Sequence, residues 1–115
     1  IGEKMEFNAI LETTKNTAKI ILSGELKAST APTFKTEVEK AAATNPLRLV
    51  LVMKDLSYMA SAGLRVLIFA KQKMGANVDI YIISPQEMVM DTIKKTGFHH
   101  SVKIMDEYDN DKVEA

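Results

Sequence analysis

The stretch LRLVLVMKDLSYMASAGLRVLIFAKQKM, residues 47–74, changes its hydrophobic period partway along, and that change decides the fold class. Residues 47–53 are an almost unbroken aliphatic and β-branched run, which predicts a central strand covered on both faces. Residues 62–74 instead carry apolar side chains at helical spacing, and the pattern stops near Gly75. A buried strand followed closely by a helix is half of a parallel crossover unit. Between the two, DLSYMAS reads as a loop, with Ser61 set between two alanines just before Gly63. Two readings of Ser61 stand side by side. Its hydroxyl can cap the free amides near residues 63 and 64, or it can be an accessible site for a regulatory phosphate, with Arg65 one helical turn onward.

Working outward, FNAILE (residues 7–12) and TAKIILSG (17–24) alternate as strands, and TTKN between them predicts a hairpin. Ala18, Ile20 and Leu22 share one face. STAPTFKTEVEKAAA then takes a helical period, with Ser29 or Thr30 as cap and Pro32 in the first turn. Its apolar stripe is Ala31, Phe34, Val38 and Ala41 or Ala42, and it stops before Asn45 and Pro46. Downstream, VDIYII (78–83) is a further strand. SPQEMVMDTIKKTG predicts a helix capped by Ser84, with Pro85 as first helical residue, Glu87 three positions after the cap and Gly97 at its end. Its inward face is Met88 or Val89, with Thr92 and Ile93. SVKIM (101–105) is a short last strand, and residues 106–115 are a terminal helix or a frayed tail. The order β-β-α-β-α-β-α-β predicts one α/β domain over residues 1–115, with its core at about 7–105. The sheet is mixed and partly parallel, of four to five strands, with helices alternating after the N-terminal hairpin.

Composition narrows the function. The 115 residues balance 15 basic against 15 acidic side chains, so no global field draws in nucleic acid or an anionic membrane. Lacking cysteine, the chain has no disulfide, no thiolate nucleophile and no sulfur metal site. No apolar run approaches the roughly 20 residues of a membrane span. The first residues lack a signal-peptide pattern, so the expected location is cytoplasmic. His99 and His100 are adjacent after Gly97, away from any carboxylate cluster, and read as loop histidines. Neither the phosphate-loop pattern nor a dinucleotide-binding glycine turn is present, so no cofactor and no metal are expected. Asp55 reads as a carboxylate that pins the loop through backbone amides. With no catalytic constellation in view, the chain reads as a binding protein rather than an enzyme. Met59 and Met90 are candidate partner contacts, and Leu64, Arg65 and Phe69 a candidate apolar-basic patch.

Three separated segments, GELKASTAPTFK (24–35), DLSYMASAGLRVL (55–67) and SPQEMVMDTIKKTGF (84–98), together with the strand order, carry a family resemblance. Over about residues 7–105 the chain resembles the STAS domains of the bacterial anti-sigma factor antagonist family. The resemblance implies a partner-switching module of signal transduction and transcription regulation. The unmodified domain binds a GHKL-type serine kinase or an anti-sigma factor. Phosphorylation of the loop serine weakens that complex, and a PP2C-type phosphatase restores it. On this chain the phosphoacceptor aligns with Ser61, and the implied partner face comprises Lys27, Ser29, Thr30, Met59, Ala60, Ala62, Gly63, Leu64, Arg65 and Phe69. Ser57 falls where the family places a structural Ser or Thr. Three positions depart from the pattern: Ala60 and Lys27 replace acids, and Arg65 replaces a glycine. Two acids are lost and two cations gained. That implies an acidic partner surface, an unmodified Ser61, or a basic setting that itself holds a phosphoserine. The alternative in a different class is a non-phosphorylated STAS scaffold in a larger signalling complex. The oligomeric state is left open, a homodimer included.

Overall fold

In the computed structural model, which describes residues 6–108, every crossover steps one strand in the same direction. The elements are β1 (Asn8–Thr13), β2 (Thr17–Leu26), α1 (Ala31–Ala43), β3 (Arg48–Met59), α2 (Ser61–Met74), β4 (Asp79–Ile83), α3 (Glu87–Lys95), one turn of 3-10 helix (Phe98–Ser101) and β5 (Lys103–Met105). β1 and β2 form the expected antiparallel hairpin, and β2-β3-β4-β5 follow in parallel, in that spatial order. Because such crossovers are right-handed, all three helices fall on one face of the sheet.

That face holds the main core. Ala18, Ile20 and Leu22 of β2, Leu49, Leu51 and Met53 of β3, and Ile80 and Ile82 of β4 point into it. Phe34, Val38 and Ala41 of α1, Leu64, Leu67 and Ala70 of α2, and Val89 and Ile93 of α3 close it from the other side. The predicted apolar stripe of α1 is thus the buried one. The opposite sheet face carries a smaller cluster: Val50, Tyr81 and Ile83, with Val52, Met105 and Tyr108 packed on them. β3 is therefore covered on both faces, as its unbroken apolar run predicts, but among the described residues no helix covers the second. Tyr108 returns across the sheet instead, its ring 5.8 Å from that of Tyr81 and the Lys19 ammonium 5.7 Å from its own. Asp106 to Tyr108 form no helix, and residues 109–115 of the predicted terminal segment lie outside the described residues.

Two expected boundaries are corrected. α3 does not start from a Ser84 cap. Ser84 takes a left-handed backbone (φ 53°), its N–H donates to the Met105 carbonyl at 2.8 Å, and its hydroxyl donates to the Asp106 carbonyl. Ser84 thus ties the end of β4 to the end of β5. The cap position falls to Gln86, whose side-chain amide donates to the Lys54 carbonyl at 2.8 Å, and Glu87 becomes the first helical residue. The second correction is larger: β3 does not end at Met53 but continues through the predicted loop to Met59. Gly97, in contrast, takes the left-handed conformation expected of a helix-stopping glycine (φ 76°).

Phe34 is fully buried where α1 meets the sheet. Phe34→Ala should lower unfolding free energy by about 3–5 kcal/mol. Urea titration should show the midpoint falling with an unchanged slope.

Candidate partner-binding site around Ser61

The site is built by the way β3 ends. Beyond Met53 its buried residues are Leu56 and Met59, every third position instead of every second. Two register shifts against β2 cause this. Ile21 pairs with Val52 but Ser23 with Asp55, and Gly24 pairs with Leu56 but Glu25 with Tyr58, so β3 accommodates an extra residue each time. The bulged strand stays attached to β2, with the Ser57 hydroxyl donating to the Gly24 carbonyl at 3.1 Å. Ser57 is therefore a structural serine. Asp55 is an exposed strand residue opposite Ser23, and its carboxylate forms no hydrogen bond among the described residues. The expected loop-pinning role is not realised.

The strand passes into α2 through Ala60, whose N–H donates to the Leu26 carbonyl at 2.8 Å. Ala60 is extended (φ −80°, ψ 168°) and holds the helix cap position without a capping side chain. Its carbonyl accepts from the N–H groups of Gly63 (2.9 Å) and Leu64 (3.2 Å). Ser61 is the first helical residue, one position too late to cap. It is exposed, and its hydroxyl forms no hydrogen bond among the described residues. The capping reading is thereby corrected. Two residues on, Gly63 seats the first turn of α2 against β2: a Cβ there would lie 2.6 Å from Leu26 Cδ2 and 3.1 Å from Met59 Cγ.

The residues expected at a partner face divide by burial. Ser29, Ser61 and Arg65 are exposed; Lys27, Thr30, Ala60, Ala62 and Phe69 are half-buried; Met59, Gly63 and Leu64 are buried. Met59 packs in the core and is buried at the edge of the groove, and Met90 is half-buried. The Thr30 hydroxyl is engaged within its own loop, accepting from the Lys27 N–H at 2.8 Å and lying 3.2 Å from the Glu25 carbonyl. Lys27 forms an ion pair with Glu25 at 3.0 Å, so its gained charge is matched by an adjacent acid. Phe69 lies under Lys35, the ammonium 4.8 Å from its ring centroid. Of the candidate trio Leu64 is buried, Phe69 half-buried and Arg65 exposed.

Sequence reasoning missed the wall supplied by α3. A groove of about 400 Å³ separates the β3–α2 junction from α3, with Ser61 and Leu64 on one side and Met88, Asp91, Thr92 and Lys95 on the other. Met88, placed inward as an alternative to Val89, is 62% exposed. The correct signal was the Val89–Ile93 pair, four residues apart, which turns Met88, Asp91 and Lys95 away from the core. The Thr92 hydroxyl lies 3.3 Å from both the Met59 carbonyl at the end of β3 and the Met88 carbonyl of its own helix, and can donate to either. A second, shallower recess of about 490 Å³ is bounded by Glu25, Lys27 and Ala28, and Tyr58 and Ala60 border both. Tyr58, 40% exposed, was missed because its segment was read as loop.

Elsewhere, His99 and His100 stack in the 3-10 turn with ring centroids 3.9 Å apart. His99 Nδ1 is shielded and has no hydrogen-bond partner among the described residues, and desolvation, then the neighbouring His100 and Lys94, lower its pKa from the usual 6.5. Among the described residues no group of three or more acidic or histidine side chains is placed to hold a metal ion. Nor is any helix among them long and apolar enough to cross a membrane.

A mixed sheet with its helices on one face and a serine exposed at the start of the second helix defines a single-domain α/β protein with a polar surface site at one end of the sheet. The STAS domain model matches residues 8–110, and the chain belongs to that family. No curated protein sequence matches the chain significantly. Among solved structures, an anti-sigma factor antagonist from Mycobacterium paratuberculosis superposes with a TM-score of 0.83 at 20% identity, over 91% of this chain and 90% of that one. The phosphorylated form of SpoIIAA, a Bacillus cell fate determinant, gives 0.72 at 18% identity, over 93% of this chain and 97% of that one. SpoIIAA in its unphosphorylated form gives 0.70 at 19% identity, over 93% and 94%. At these identities the likeness is one of fold.

Two substitutions separate a capping serine from an unbonded one. Ser61→Ala should change stability by no more than about 0.5 kcal/mol, whereas loss of a cap would cost about 1 kcal/mol. Gly63→Ala should cost about 1–3 kcal/mol, because Leu26 must give way. Both are read by urea denaturation. For His99 the sign follows from its lowered pKa: the unfolded chain takes up the proton first as pH falls through 6.5. Stability should therefore begin to drop as pH falls through about 6.5, and drop less in His99→Gln.

Proposed function

We propose that this STAS domain is a regulatory protein-binding module of the anti-sigma factor antagonist kind, switched by reversible phosphorylation of Ser61. One observation carries the reading: the Ser61 hydroxyl is exposed and unbonded where α2 begins, beside the groove that runs to α3. A GHKL-type serine kinase would transfer the γ-phosphoryl group of ATP to it. The Oγ–P bond forms as the bond to ADP breaks, and the hydroxyl proton passes to a base of the kinase. A PP2C-type phosphatase would hydrolyse the product, and the unmodified domain would bind the kinase itself or an anti-sigma factor in the cytoplasm. SpoIIAA, similar in fold, has been solved in both phosphorylated and unphosphorylated forms.

The physical effect of the switch is electrostatic. Phosphate adds about −1.5 to −2 charges. It does so on a surface where Arg65, Lys95, Asp91 and the Lys27–Glu25 pair stand exposed or half-exposed. Since Ser61 is not used to hold the helix, modification changes the docking surface without unfolding the domain.

Affinity capture from native extract, followed by phosphosite mass spectrometry on the same sample, tests this reading. The expected outcome is one phosphate on Ser61, absent from the Ser61→Ala variant, and weaker partner capture by the modified form. Phosphate retained in Ser61→Ala would overturn the assignment, and tight capture with no phosphate in any condition would favour the scaffold alternative.

A further inference from the structure

Ser61 and Lys95 stand on opposite walls of the same groove, on the first turn of α2 and the last turn of α3. Lys95 is exposed and forms no ion pair among the described residues, whereas Lys27, Lys40 and Lys103 each pair with an acid at 3.0–3.5 Å. Asp91 lies one turn before Lys95 on the same wall but is not bound to it. Between them the Thr92 side chain is turned toward the Met59 carbonyl. Arg65, the other nearby cation, follows Ser61 by one turn on α2 and does not line the groove.

On the reading that Ser61 is the modified residue, we propose that Lys95 is the intramolecular partner of its phosphate, forming an ammonium–phosphate bridge across the groove from α2 to α3. A lysine suits the task, because its flexible four-carbon stem can swing a compact charge across a gap that a short side chain cannot span. Phosphate oxygens supply strong, charge-assisted acceptors. Asp91, on the same wall, opposes the incoming dianion and limits the strength of the bridge. The bridge joins the Leu64 side of the groove to the Thr92 side, across the space that the open groove offers to a partner side chain. Modification then does more than add repulsive charge: it spans the cleft with the domain's own lysine.

The test needs no kinase, since phosphoserine can be incorporated at position 61 during translation. In the phosphorylated protein, ³¹P NMR titration at low salt should place the second phosphate pKa below its free value of about 6. The displacement expected for an exposed pair is roughly 0.2–0.7. It should shrink in Lys95→Met and at about 1 M salt, survive in Arg65→Met, and grow in Asp91→Asn, with the helix-start amides of α2 holding what remains. An unchanged titration in Lys95→Met, or loss of the displacement in Arg65→Met alone, would overturn the bridge. Absence of phosphate on Ser61 in cells would instead sink the phosphorylation reading and leave this measurement intact.

Discussion

The missing side chain at Gly63 is the constraint on which the site depends. α2 begins only 2.6 Å, by the measure of a single added carbon, from the Leu26 side chain at the end of β2. That approach lets the Ala60 N–H reach the Leu26 carbonyl, and it leaves the Ala60 carbonyl to receive the Gly63 and Leu64 amides. No side chain caps that first turn, and Ser61, already the first helical residue, is not placed to do so. Gly63 is buried in that approach, and Ser61, two residues earlier, is left exposed.

Local electrostatics temper what composition alone suggests. Counting substitutions against the family pattern makes the region around Ser61 strongly basic, yet Glu25 pairs with Lys27 and Asp91 shares a wall with Lys95. The result is an interleaved surface of both signs, not a uniform positive field. Such a surface selects by register: a charge placed opposite the wrong residue is repelled, and the same charge one turn along is attracted. A phosphate on Ser61 would shift that balance at its centre.

The one-sided arrangement of helices follows from topology, and it separates two surfaces with different demands. Three successive right-handed crossovers spend all the helices on one face, which leaves the other to Val50, Tyr81 and Ile83 and to the returning Tyr108. The candidate site belongs to neither face. It lies at the end of the sheet where β3 runs into α2, the place where an α/β fold can vary residues without repacking its core.

Element order, the hairpin, the α1 stripe and the Gly97 stop could be read from the sequence, because each rests on a local period or on backbone freedom within a few residues. The Gly-Glu-Leu and Asp-Leu-Ser segments pair with each other where β2 and β3 end. The far half of β3 was illegible, since two bulges against β2 turn its burial period from two to three, and no local pattern announces where a partner strand lies. The same limit hid the groove: Met88, Asp91 and Lys95 are distant in sequence from Ser61, and only the packing of α3 on the end of β3 brings them beside it. By itself the sequence determined the order of strands and helices and that Ser61 sits between the third strand and the second helix. The tertiary structure decided that the serine hydroxyl is left unbonded and what faces it, because both depend on distances between residues the chain does not place side by side.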